Sequence, residues 1–292
     1  MPLPLESVPN VSEGRDPETI AALASAFGER ARLLDVHTDP DHNRSVFTLV
    51  ASDAELVEAL LAGIACARER IDLRRHAGAH PRVGALDICP LVPVVPEDMG
   101  RAKAAALVLA ERVGELGLPV FLYGELAPGR GPAFFRRGGP EELQRRLDAG
   151  ELVPDFGPAA LDPAAGCVLV GARPPLVAFN VNLRGTLETA REIAAVVRET
   201  GGGFPGVRAL GLELPSVGLV QVSMNIEDWR AAPVHEVVAR IAAEAEARGT
   251  EVAGSELVGL VPAGAVVAAA APALHLPALD PSSVLELRLL DA

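Results

Sequence analysis

The segment 74–82, Arg-Arg-His-Ala-Gly-Ala-His-Pro-Arg, places three arginines and two histidines within nine positions. Histidine, with an ordinary pKa of ~6.5, both accepts and donates a proton near neutrality. Flanking arginines disfavour imidazolium, leaving a competent neutral base, and they complement an anionic substrate. Gly78 and Pro81 argue against a regular helix, so His76, His80 and Arg82 are expected on a loop, where rigid scaffolds tend to carry catalysis. Upstream, the loop 38–44 adds Asp39, Asp41, His42, Asn43 and Arg44. His76 and His80 are also four apart, a metal-ligand spacing. Gly78 spoils its helical geometry, nearby arginines repel a dication, and no Cys pair or His-Glu-x-x-His is present. No metal is therefore expected. The plain alternative is a loop whose histidines hydrogen-bond for structural reasons.

Composition narrows the partners. The chain has 292 residues, 26 basic against 39 acidic, for a net charge of −13. Phosphate neutralisation needs a concentrated basic surface, so no nucleic-acid partner is expected. All but one of the basic residues are arginine, Lys103 being the exception, and arginine grips planar carboxylates with two parallel hydrogen bonds. Cys66, Cys89 and Cys167 are too few and too scattered for a disulfide framework, and no apolar leader is evident, which reads as a reduced, cytoplasmic protein. Residues 257–279 carry no charged side chain and approach the ~20 apolar residues of a membrane span. Pro262 and Pro272 interrupt them, however, so a strand end followed by an Ala-rich helix from Pro262 is expected, with no membrane partner.

Alternating strand and helix patterns must position these residues. Asp16-Pro17 opens a helix, residues 31–37 and 45–51 read as strands, and Ser52-Asp-Ala-Glu55 is a capping box opening a second helix. A strand at 85–95, a helix at 97–116, a strand at 118–124 and a helix at 140–148 follow, with 8–15 and 127–140 read as loops. After Arg173-Pro174-Pro175 come strand 175–183, helix 186–200, strands 207–214 and 218–227, helix 233–248 and a strand near 250–258. That order, βαββαβ, is the ferredoxin-like split βαβ pattern. The fold class expected is α+β: two α/β-type subdomains, 1–174 and 175–292, with mixed or antiparallel sheets.

Several of these segments together resemble the glutamate formimidoyltransferases. The match runs collinearly through 8–15 (VPNVSEGR), 39–46 (DPDHNRSV), 76–87 (HAGAHPRVGALD), 154–158 (PDFGP), 171–173 (GAR), 178–183 (AFNVNL), 221–225 (QVSMN) and 254–262 (GSELVGLVP). The resemblance implies transfer of the formimino group of N-formimino-L-glutamate to N5 of tetrahydrofolate, as co-substrate, within histidine breakdown. It implies a ligand tunnel between the subdomains, a homodimer, and a separate cyclodeaminase acting downstream, since the bifunctional relatives' second domain has no counterpart here. His80 takes the place of the family's catalytic histidine. The folate-contacting stretch maps onto Gly157, Pro158, Ala159, Ala160, Leu161, Asp162, Pro163, Ala164, Ala165 and Gly166. Asp39, Asn43, Arg44, His76, Arg82, Asn180 and Asn182 complete the substrate and folate set, with Arg15 and Arg173 as further partners for glutamyl carboxylates. Phe156, Phe179, Tyr123 and Trp229 are the candidates for stacking on the pterin. Segment 128–140 departs from the pattern, which keeps three alternatives open. These are a 5-formyl-tetrahydrofolate cyclo-ligase-like enzyme, an N-formylglutamate:tetrahydrofolate formyltransferase, and a non-catalytic folate-binding protein.

Overall fold

Apolar residues at helical spacing and one side-chain cap start the first unit. In the computed structural model, which describes residues 2–274, 276 and 279–284, Asp16 accepts from the Glu18 amide at 3.1 Å and from the Thr19 hydroxyl at 2.6 Å. Helix α1 (Pro17–Gly28) then buries Leu23 and Phe27. Before it lie two short strands, β1 (Leu5–Ser7) and β2 (Asn10–Val11), the second within the segment 8–15 read as a loop. Strand β3 (Arg32–Asp39) runs two residues further than the pattern suggested and shortens the polar loop to a turn before β4 (Arg44–Ala51). At α2 (Asp53–Arg70) the expected capping box is incomplete: the Ser52 hydroxyl donates to Glu55 at 2.7 Å and caps no backbone amide.

The remaining elements of this unit are β5 (Leu86–Pro93), α3 (Met99–Glu115), β6 (Val120–Gly124), α4 (Pro132–Arg136), α5 (Gly139–Asp148) and β7 (Val168–Ala172). Strand β7 pairs in parallel with both β5 and β6, and β4 pairs antiparallel with β3 on one side. Between β4 and β5 stand β1 and β2, each antiparallel to both. The seven strands thus form one mixed sheet. Alternation splits its residues between two cores. Phe47, Leu49, Leu91, Val120 and Val170 pack with α1, α2 and α3, whereas Phe121, Tyr123 and Leu169 pack with α4 and α5.

The second unit holds β8 (Val177–Leu183), α6 (Leu187–Val197), β9 (Val207–Leu214), β10 (Leu219–Ile226), α7 (Val234–Ala247), β11 (Val252–Val258) and α8 (Ala263–Ala273). The division falls between Pro174 and Pro175. Its four strands form an antiparallel sheet in the order β11-β8-β10-β9. Each helical crossover therefore skips one strand of the other crossover, the arrangement of two interleaved βαβ units. Val181, Val222 and Met224 face Ile193, Val197 and Ile241 of the helices in one core. By alternation Asn180, Asn182 and Gln221 stand on the opposite face. The last strand and α8 account for the uncharged run from 257 within the described residues, and none of the described helices is long and apolar enough to cross a membrane.

Candidate active site

Asn43 is the one described non-glycine residue with a positive φ, 48°. That conformation suits an asparagine in a tight turn. Its carboxamide oxygen accepts from the Gly14 amide at 2.9 Å and its amino group donates to the Ala77 carbonyl at 3.1 Å. Asp39 likewise accepts from the Asp41 and His42 amides, both at 2.8 Å, and lies 3.4 Å from His42 Nδ1. Of these two sequence-predicted site residues, Asn43 thus ties the β3–β4 turn to the loop after β2 and to the histidine loop, while Asp39 braces the turn itself. Gly78 permits this docking: a Cβ there would lie 2.8 Å from that of Asn43 and closer still to the His42 carbonyl oxygen.

Within the histidine loop, His76 Nε2 faces the Asn43 carbonyl at 3.0 Å and its Nδ1 meets the Arg82 guanidinium. A carbonyl only accepts, so Nε2 carries the hydrogen and Nδ1 accepts from Arg82. Arg82 also donates to the carbonyls of His42 at 3.2 Å, Gly78 at 3.1 Å and His80. Burial, then the Arg82 charge, lowers the His76 pKa, and burial lowers that of Arg82 to about 10. Arg82 is therefore a knot holding the loop, which leaves little of its fork for a substrate carboxylate.

His80 is held differently. Its Nδ1 donates to the Pro81 carbonyl at 2.8 Å, which leaves the Nε2 lone pair free to take a proton. Its ring stands 5.7 Å from that of His42, centre to centre. Burial, then the charges of Arg44, Arg136 and His42, holds its pKa well below the ordinary value. His80 is thus a neutral base at pH 7. It shares one crevice with Asn10, Val11, Ser12, Arg44, Pro81, Arg82 and Asp87.

Arg44, at the start of β4, donates to the Asn10 side-chain oxygen, while its buried Nε has no hydrogen-bond partner. Burial, then the charge of Arg136, lowers its pKa to about 9, so it stays cationic at neutrality. Asp87, at the start of β5, accepts from the Val83 amide at 2.7 Å and pairs with Arg136 at the end of α4. Arg136 escaped the sequence reading because segment 127–140 reads as a glycine- and proline-rich loop. Pro132 at a helix start followed by Phe134-Phe135 was the available signal.

Segment 157–166 runs beside this loop. The Leu73 amide donates to the Ala164 carbonyl and the Ala85 amide to that of Ala165, both at 2.8 Å. Asp162 accepts from the Ala164 and Ala165 amides at 2.9 Å and pairs with Arg68 at 3.1 Å. Leu161 is anchored through its amide by Gln144 at 2.9 Å. Gly157, Pro158, Ala159, Ala160 and Pro163 are exposed, whereas Ala165 and Gly166 are buried. Gly166 adopts φ +70°, and a Cβ there would run into the Val83 carbonyl.

On the second unit, Asn180 donates to Glu256 at 3.0 Å and Asn182 accepts from Gln221 at 2.9 Å. Of the aromatic candidates, Tyr123 is buried with α4 and α5, Phe156 packs on the core beneath α1–α3, and Phe179 and Trp229 pack on that of the second unit. Arg15 donates to the Pro40 carbonyl at 2.7 Å and Arg173 to that of Pro174 at 2.9 Å. No group of three or more His, Cys, Asp or Glu able to hold a metal occurs among the described residues.

Fold and crevice together define a two-unit α+β protein with a neutral imidazole set among guanidinium groups. Residues 4–173 match the family model described as the formiminotransferase domain, N-terminal subdomain, and residues 178–275 that of the formiminotransferase domain; the chain belongs to this family. It is 38% identical to a glutamate formimidoyltransferase of Thermoplasma acidophilum, covering 84% of each chain. Identity to one of Streptococcus pyogenes is also 38%, covering 85% of each. A formimidoyltransferase-cyclodeaminase of Gallus gallus is 43% identical over 83% of this chain and 47% of its own length. The chain spans about half the length of the formimidoyltransferase-cyclodeaminases it matches.

Proposed function

We propose that this protein transfers the formimino group of N-formimino-L-glutamate to N5 of tetrahydrofolate, giving 5-formimino-tetrahydrofolate and L-glutamate, with His80 as general acid and base. The observation that carries the reading is the held imidazole. Nδ1 is engaged by the Pro81 carbonyl, Nε2 is available, and the proton is disfavoured by burial and by Arg44 and Arg136.

N5 is a secondary amine and attacks the amidine carbon of the donor. As that C–N bond forms, the C=N π pair moves onto nitrogen and Nε2 of His80 takes the N5 proton. The imidazolium then returns a proton to the glutamate nitrogen as the pair on the retained nitrogen re-forms C=N and the second C–N bond breaks, so glutamate departs as a neutral amine. One residue closes the proton balance, and no metal is needed. Donor N–H groups near the crevice steady charge as the tetrahedral carbon forms. Folate contacts along Gly157–Gly166 and at Asn180 and Asn182 belong to the same reading, as do a homodimer and a cytoplasmic location. Light scattering at twice the 30.3 kDa chain mass would support the dimer.

The test is a transfer assay with both substrates, read as 5,10-methenyl-tetrahydrofolate absorbance after acidification. Turnover by the wild type and its loss in His80→Ala, with folate affinity kept, are the expected results. Silence of the wild type while folate still binds would overturn the formimino donor and favour a formyl donor. Full activity of His80→Ala would overturn the role of His80.

A further inference from the structure

Arg136, at the end of α4, pairs with the crevice residue Asp87, and its buried Nε lacks an acceptor. The helix that carries it is clamped: Phe135 is fully buried with its ring 5.0 Å from that of Phe121, and the Arg146 guanidinium stands 4.5 Å over Phe134. The arginine is aimed by Asp87, whose carboxylate is itself fixed by the Val83 and Gly84 amides at 2.7 and 3.2 Å. That ion pair is nearly sealed, with side chains 14% and 5% exposed.

We propose that Arg136, together with Arg44, is the receptor for the α-carboxylate of the formimino donor, and so a substrate-binding residue that sets donor specificity. The proposal rests on the formimino-transfer reading above.

Three observations support it. Arg136 Nε and Arg44 Nε are both buried and both without a hydrogen-bond partner, whereas buried donors are nearly always paired. Two such donors in one charged cluster point to one missing acceptor. The charges agree: Arg44 stands among Arg136 and Arg82, which repel it, and Asp87 and Asp39, which attract it, so the three arginines outnumber the two carboxylates. One carboxylate cancels the surplus, and arginine forks suit its planar geometry. The choice of the α-carboxylate follows from reach. It is attached to the carbon that bears the departing nitrogen, and Arg44 and Arg136 are the two arginines whose charges bear most on His80. When His80 addresses that nitrogen, the α-carboxylate is the one set beside them.

The experiment measures KM and kcat of the wild type, Arg136→Gln and Arg136→Lys with three donors: N-formimino-L-glutamate, its α-amide and its γ-amide. For Arg136→Gln, KM should rise roughly 10- to 100-fold with the parent and the γ-amide, the range for losing a charge-assisted hydrogen bond. With the α-amide it should not rise, and kcat should stay within about threefold throughout. Lysine should recover only part of the loss, since a point charge lacks the fork. Equal losses with all three donors mean a structural role and overturn the proposal; so does sparing of the γ-amide instead of the α-amide. Because Arg136→Gln strands the Asp87 charge, the double variant Asp87→Asn/Arg136→Gln should reproduce the same donor pattern.

Calorimetric binding of L-glutamate needs no turnover. Normal transfer by the wild type with unchanged glutamate affinity in Arg136→Gln overturns the proposal alone. No transfer by the wild type, with glutamate affinity weakened in Arg136→Gln, overturns the reaction and leaves the carboxylate site standing.

Discussion

The imidazole of His80 is held neutral, and two pH effects follow. Because its folded pKa lies well below the ordinary ~6.5, the base form persists as pH falls, and the acid limb of kcat/KM should lie clearly below pH 6.5. Arg136→Gln removes a cation that depresses this pKa, so its acid limb should move to higher pH. For stability the sign is that of a group whose folded pKa is lowered: the contribution is full above the unfolded value and is lost as pH falls through ~6.5 towards the folded pKa. Denaturation midpoints of wild type and His80→Asn across pH 4–8 check this, the wild type losing more stability on the acid side. Replacing His80 by alanine should cut kcat about 10²- to 10⁴-fold. At this scale the sequence was a good guide to residue type and a poor one to duty. The crowd of arginines and histidines at 74–82 marks the site, but whether a guanidinium faces substrate or its own loop depends on partners far along the chain. Arg82 is engaged by the carbonyls of its own loop and of the β3–β4 turn, Asn43 by two backbone groups, while Arg136 fell in the segment 127–140 read as a loop.

Element boundaries follow local rules and pairing does not. The Asp16-Pro17 start of α1 and the alternation in β8, β9 and β10 were legible because caps and periodicity are local. Two pieces were not. Strand β7, five buried residues with no polar alternation, carries no period to read, as expected of a strand covered on both faces. Strands β1 and β2 are too short for a pattern and exist only because β4 and β5 flank them. The docking of the histidine loop on the β3–β4 turn is also non-local, and it is where Gly78→Ala should act. With no room against the His42 backbone, the loop must lift, breaking the Ala79 amide to Asp41 carbonyl bond of 3.0 Å. Since small misplacements of catalytic groups cost ~10²-fold, kcat should drop by about that factor with folate affinity retained. Gly166→Ala, at a positive φ and against a backbone carbonyl, should lower stability by about 1–3 kcal/mol, readable as a shift in the urea midpoint.

Across the whole molecule, the net charge of −13 opposes the two carboxylates of the proposed donor, whereas the crevice arginines would attract them. The two act over different distances: the net field is screened within ~8–10 Å at ordinary ionic strength, and contacts inside the crevice much less. Raising salt from about 0.05 to 0.2 M should therefore change the KM for N-formimino-L-glutamate by no more than about twofold in the wild type. A rise beyond tenfold would mean that the carboxylate site is open to bulk solvent. The same scale gives β1 and β2 a meaning beyond architecture. Strand β4 brings Arg44 and strand β5 brings Asp87, yet neither strand pairs with the other along this stretch; Asn10 and Val11 stand between them, and Asn10 also receives the Arg44 guanidinium. The first dozen residues are thus a keystone, and a keystone is a separable part. A chain beginning at residue 13 should lose transfer activity, and a synthetic peptide of residues 2–12 should restore it by slotting back between the two strands, turning the enzyme into a two-piece switch governed by peptide concentration.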